Sequence, residues 1–110
     1  MTQERKKVPV FYVPFRPIYR RGIACYWFIL IRSKYSGDLG LLAHENVHVA
    51  QQRNIGLLKY LWRYYTDKRF VAEVEYAAFK YGSKYNDRRI KHILENNYNV
   101  PIDVIEEVVV

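Results

Sequence analysis

Apolar and polar positions along the chain change their period near residue 38, and that change divides the molecule. Residues 8 to 18, VPVFYVPFRPI, alternate weakly and contain three of the four prolines. Because proline cannot donate to a ladder, this stretch reads as an edge strand or extended arm. ACYWFILIR, residues 24 to 32, is dense in aromatic and β-branched residues and predicts the principal strand, paired with the arm as a hairpin. SKYSGDLG then supplies turn residues, with Ser36 and Asp38 as candidate N-caps.

Beyond the turn the period becomes helical. Leu41, Leu42, Val49 and Ile55 recur at helix spacing from Leu39 to about Asn54, and Gly56 is placed to end that helix. LLKYLWRYY predicts a short second helix. A third runs from Lys68 to Tyr85, with Phe70, Val74, Ala77, Ala78 and Tyr81 on one stripe. NDRRIKHILENN predicts a fourth, begun by Asn86 or Asp87, and the tail VPIDVIEEVVV reads as a short strand or a loose end. The expected fold class is therefore α+β, a short N-terminal hairpin or sheet on three to four helices. At 110 residues it is one domain: a basic arm (1–21), a core (22–85), and a C-terminal helix and tail (86–110).

Composition narrows the function classes. The single cysteine, Cys25, lies in an apolar run and reads as a buried, inert thiol rather than part of a disulfide scaffold. The N-terminus lacks a signal-peptide pattern, and the longest apolar run, GIACYWFILI, is half the roughly 20 residues a membrane span needs, so a cytoplasmic protein is expected. The net charge of +7 is uneven: residues 1 to 34 hold eight Lys or Arg against Glu4 alone, and the last seventeen residues hold four acids and no base. Arg5, Lys6, Lys7, Arg16, Arg20 and Arg21 make a nucleic-acid-binding module a rival reading, although no recognised motif accompanies them. Trp27 and Trp62 are expected in the core. The many tyrosines and the apolar end VIEEVVV leave room for a partner protein or a second copy.

The chemistry concentrates in LLAHENVHVAQQ, residues 41 to 52, which holds two of the three histidines. On a helix, His44 and His48 lie about 40° apart and one turn above each other, so both imidazoles can reach one ion. Glu45, rotated by about 100° from His44, borders the same place without having to ligate. A metal that holds a water, with a carboxylate beside it to move the proton, is an arrangement for hydrolysis. Two imidazoles leave a divalent ion under-coordinated, so a third protein ligand is required. FVAEVEYAAF, residues 70 to 79, offers two. Glu73 lies about 80° from the centre of the apolar stripe and Glu75 about 120° from it, so Glu73 is the better inward candidate and Glu75 the alternative. Tyr64, Tyr76, Tyr81 and His92 are candidates for stabilising an oxyanion.

HENVHVAQQ followed by Gly56, a Leu/Trp/Tyr-rich helix and EVEYAA resembles small bacterial and phage-type domains of pattern HExxHxxQ…ExEA, within the gluzincin class of zinc metallopeptidases. The resemblance covers roughly residues 22 to 82. It implies a minimal zincin-like core around one zinc ion, ligated by His44, His48 and Glu73, with Glu45 as general base and acid. It also implies a peptide or protein substrate, and the strand near residues 24 to 32 offers an edge along which an extended peptide could pair. Tyr76 stands where the small alanine is usual. Ala77 stands where some relatives carry an aspartate behind a zinc-binding histidine, a role Gln51 can partly take.

Overall fold

The computed structural model describes residues 8 to 14 and 21 to 109. It is an α+β structure in which a three-stranded sheet near the N-terminus packs on five α-helices. The strands are β1 (Val10–Val13), β2 (Gly22–Cys25) and β3 (Phe28–Arg32), in the order β1-β3-β2. β3 is central because it carries the strongest alternation: Ile29 and Ile31 are buried, while Phe28, Leu30 and Arg32 are half-buried on the other face. Its inward residues pack with Val8 and Val49.

Two features of the sheet differ from expectation. The run 24–32 is broken by a two-residue turn at Tyr26 and Trp27, so the hairpin is β2 with β3, pairing Cys25 with Phe28. Neither turn residue is a glycine, asparagine or aspartate, and the turn was therefore invisible in the sequence. The proline-bearing arm does pair with the principal strand, but in parallel, Val10 opposite Ile29 and Val13 opposite Arg32. As expected of a strand flanked by prolines, β1 lies at the sheet edge.

The helices are α1 (Leu39–Ile55), α2 (Leu57–Thr66), α3 (Lys68–Ala77), α4 (Asp87–Asn97) and α5 (Ile102–Val108). Their ends have local causes. Asp38 caps α1 by accepting from the Leu41 N–H, Asp67 caps α3 through Arg69 and Phe70, and Asn86 caps α4 through Arg89. Gly56, at φ 100°, makes the break between α1 and α2 that a side chain would resist. The third helix does not run to Tyr85: at Ala78 it widens into a π-helical turn, Ala78–Gly82. The tail is helical, not strand-like, and α5 buries Ile105 with Ile90 and Leu94 of α4 and Val71 and Ala72 of α3.

The π turn lets α1 come close. A Cβ on Gly82 would lie 2.8 Å from both the Ala43 carbonyl oxygen and the His44 Cα, so only glycine admits this approach. Ser83 Oγ adds a hydrogen bond to the Gly40 carbonyl at 2.9 Å. Trp27 and Trp62, expected in the core, are exposed at 61% and 73%. Cys25 is half-buried rather than sealed.

Candidate metal centre

α1 is unusual in what it buries. Its inward residues are His44, Glu45, His48 and Gln52 alongside Val49, so the face turned to the core is mostly polar. Buried polar groups need partners, and His44, His48 and Gln52 reach to α2, α3 and β2 for them. Among the described residues, His44, His48 and Glu75 form a buried group that could hold a metal ion.

The geometry is a small triangle. His44 Nε2 and His48 Nε2 are 3.1 Å apart, and Glu75 Oε1 lies 3.1 Å from the first and 2.9 Å from the second. Three mutually adjacent atoms make a poor hydrogen-bond set, because one N–H cannot point along two edges at once. They make a good coordination face: bonds of about 2.0–2.1 Å at tetrahedral angles imply edges of about 3.3 Å.

The shell around the triangle sets the protonation of His48. Gln51 Nε2 donates to the Val74 carbonyl at 3.0 Å, which fixes the amide and turns its Oε1 toward His48 Nδ1 at 2.8 Å. A carbonyl oxygen only accepts, so Nδ1 carries the proton, and the neutral ring presents the Nε2 lone pair to Glu75 and His44. A cation, a second proton or a metal, is then required between His48 Nε2 and the Glu75 carboxylate. Burial alone would push the His48 imidazole down; the charge and hydrogen bond of Glu75, helped by Glu45 and Gln51, outweigh it and raise the group from 6.5 to about 9. Burial likewise opposes ionisation of Glu75, but His48 and His44 hold its carboxyl well below the usual carboxylate range.

Other contacts position these side chains. Tyr64 donates its hydroxyl to Glu75 Oε2 at 2.6 Å, and the Tyr60 hydroxyl lies 3.1 Å from His48 Nδ1. The Phe79 ring packs on the His44 imidazole with centroids 4.2 Å apart. Among the described residues, buried His44 Nδ1 has no hydrogen-bond partner, which leaves a polar atom of the cluster unsatisfied. Glu45 is buried beside β2, and a Cβ on Gly22 would stand 3.1 Å from its Oε2.

The third member of the triangle is Glu75, not Glu73. The Glu73 side chain is 53% exposed and reaches toward Arg69 along the same helix. The stripe used for the expectation left out Val71 and Ala72, both buried, and counted Tyr81, which lies beyond Ala77 in the wider π turn and is 63% exposed. Referred to Val71, Glu75 stands only about 40° around the helix, and Glu73 about 160° on the far side. A π turn takes an extra residue, so helical spacing cannot be carried through it.

The remaining candidates divide similarly. Gln51 and Tyr64 reach the site. The Tyr76 hydroxyl donates to Asp87 Oδ1 at 3.0 Å and accepts from Lys80 Nζ at 2.8 Å, in a cluster whose pairing raises Lys80 and lowers Asp87. Tyr81 is exposed, and exposed His92 faces Asn96 at 3.3 Å. Sequence reasoning missed Tyr60. Its position four before Tyr64 on α2 was the available signal, since that spacing stacks the two rings on one face. β3 cannot take an added strand because both its edges are paired. Of residues 24 to 32, only Ala24 and Cys25, in β2, lie along a sheet edge, and there Gln52 Nε2 already donates to the Ala24 carbonyl at 3.0 Å. Arg5, Lys6, Lys7, Arg16 and Arg20 lie outside the described residues, while Arg21 is exposed.

No family model matches the chain, and neither a curated protein nor a solved structure is found to be similar to it.

Proposed function

We propose that this chain is a zinc-dependent hydrolase acting on a peptide bond, with His44, His48 and Glu75 as ligands and Glu45 as the group that moves the proton. The observation that carries the reading is the triangle itself, in which two imidazole nitrogens and one carboxylate oxygen converge within 3.1 Å of one another. Two nitrogens and one oxygen suit zinc over magnesium or calcium, which prefer all-oxygen cages. Structural zinc sites take four protein ligands, whereas three His/Cys/Asp/Glu side chains converge among the described residues, the number typical of catalytic sites. When bound, zinc supplies a Lewis acid and lowers the pKa of its water toward neutrality.

The chain's own residues supply the rest. Glu45 follows a ligand directly, and its buried carboxylate has the position to accept a proton from water and return it to the departing amine. Gln51 and Tyr64 hold His48 and Glu75 so that each presents one defined atom. Peptide hydrolysis is chosen over other amide hydrolysis because HENVHVAQQ…EVEYAA resembles the gluzincin pattern.

A second reading has its own observation in the close approach of His48 to Glu75 at 2.9 Å, which a protonated imidazole would also satisfy. The cluster would then be a buried ion pair tying α1 to α3; in a related non-catalytic reading, a zinc held by the same residues ties the two helices and stabilises a small fold. Zinc content and cleavage of a mixed peptide library separate the readings when wild type, Glu45→Gln and His44→Ala are compared. Hydrolysis requires near-stoichiometric zinc in wild type and Glu45→Gln, loss of zinc in His44→Ala, and cleavage by wild type alone. Full cleavage by Glu45→Gln would reject Glu45 as general base, and zinc retained by His44→Ala would reject that ligand.

A further inference from the structure

Helix α2 has two apolar faces, and only one of them is used. Its inner face turns Tyr60 and Tyr64 toward His48 and Glu75. Its outer face presents Leu58, Leu61, Trp62 and Tyr65, at 83%, 37%, 73% and 81% exposure. Those four positions span about 100° of the helix circumference, a continuous stripe about 10 Å long on a ten-residue helix. Two large aromatics and two leucines together on one short helix are far from the scattered single exposures of an ordinary surface.

We propose that this outer face of α2 docks on an anionic lipid bilayer. The charge around the stripe selects that occupant. LLKYLWRYYT has no acidic residue; exposed Lys59 lies beside the stripe, and Arg63, half-buried, stacks its guanidinium on the Phe70 ring one turn further along. The nearest acid in sequence, Asp67, is engaged at the start of α3 through its hydrogen bonds to Arg69 and Phe70. Leucine and tryptophan toward the acyl boundary, tyrosine at headgroup level and basic side chains beside them are the composition of an interfacial helix. Lipid phosphates would also meet a chain of net charge +7. A second copy of the chain fits less well, because a two-fold contact along the stripe would set two helices against each other that carry basic residues and no acid. Insertion would be shallow, as no helix among the described residues is long and apolar enough to cross a membrane.

Docking of this kind has a functional consequence. Tyr60 and Tyr64 are on the opposite side of the same helix, so the metal centre lies roughly one helix diameter, about 10 Å, from the bilayer surface. Substrates would then be segments presented at a membrane. The docking itself depends on no metal and is tested without one.

Flotation with vesicles of phosphatidylcholine alone, and of phosphatidylcholine mixed with phosphatidylglycerol, tests the proposal directly. Wild type is expected to float with the anionic vesicles and weakly or not at all with the neutral ones. The double variant Leu58→Ser/Trp62→Ser, at exposed positions and with an unchanged circular dichroism spectrum, is expected to lose about tenfold or more in partitioning. In a Trp27→Phe background Trp62 is the sole tryptophan, and its emission should shift to the blue on anionic vesicles. Wild type that fails to float would overturn the proposal. Undiminished flotation of the double variant would assign binding to basic residues elsewhere and overturn it too. A dimer in gel filtration that the same two substitutions abolish would make a second copy the occupant instead.

Discussion

Tyr64 donates its hydroxyl to Glu75 Oε2 at 2.6 Å, which leaves Oε1 as the carboxylate atom turned to His44 and His48. One hydrogen bond thus decides which oxygen faces the imidazoles. Tyr64→Phe keeps the ring stacked on Tyr60 and removes only the hydroxyl. Zinc affinity should fall about 10- to 100-fold with little change in the metal-free melting temperature, as read by competition with a chromogenic chelator. Unchanged affinity would show that Glu75 needs no help from Tyr64.

On the proposed assignment, the protonation of His48 gives zinc binding a definite pH dependence. Below about 9 the metal-free imidazole holds a proton that zinc must displace. Affinity should therefore rise with pH toward about 9, with about one proton released per zinc at neutral pH. Calorimetry in buffers of different ionisation enthalpy measures that number directly, and zero release would contradict the His48–Glu75 pairing. The metal-free protein shows the complementary effect. Because the folded-state value is raised from 6.5, the stability it contributes is complete below 6.5 and is lost as pH climbs through about 9.

Gly82 is a steric requirement of the site. A Cβ there would press on the Ala43 carbonyl and the His44 backbone at 2.8 Å, where nothing can yield except α1 itself. Gly82→Ala should destabilise the metal-free fold by about 1–3 kcal/mol and weaken zinc binding by moving His44. Thermal unfolding with and without zinc checks both effects. An unchanged melting temperature would mean that the two segments separate without cost.

Gly22 has a milder role beside Glu45. Its missing side chain leaves room for Glu45 Oε2, which a Cβ would approach to 3.1 Å, with the Leu30 carbonyl oxygen at 3.2 Å. Gly22→Val should displace the carboxylate while leaving the zinc ligands in place. Peptide cleavage should drop by about tenfold or more at constant zinc content. Equal losses of zinc and cleavage would instead mean that β2 supports the whole centre.

What the sequence disclosed was governed by period and spacing. Asp38 and Gly56 bounded α1, and the four-residue interval from His44 to His48 already implied convergent imidazoles, because both statements need only one regular helix. Glu75 was harder. Choosing it over Glu73 required knowing that α3 buries Val71 and Ala72 and that Ala78 begins a wider turn, and neither is set by local propensity. The turn at Tyr26 and Trp27 and the parallel pairing of β1 are tertiary outcomes of the same kind. Exposed Trp62 inverted a rule that holds for most tryptophans, and residues that break such a rule are often placed by function rather than by folding.

A crystal of the zinc-soaked protein, measured on either side of the zinc absorption edge, addresses the centre most directly. One anomalous peak should appear about 2.0–2.2 Å from His44 Nε2, His48 Nε2 and Glu75 Oε1, with Glu73 still turned to solvent. An empty triangle at saturating zinc, or a peak held by Glu73 or His92 instead, would contradict the assignment.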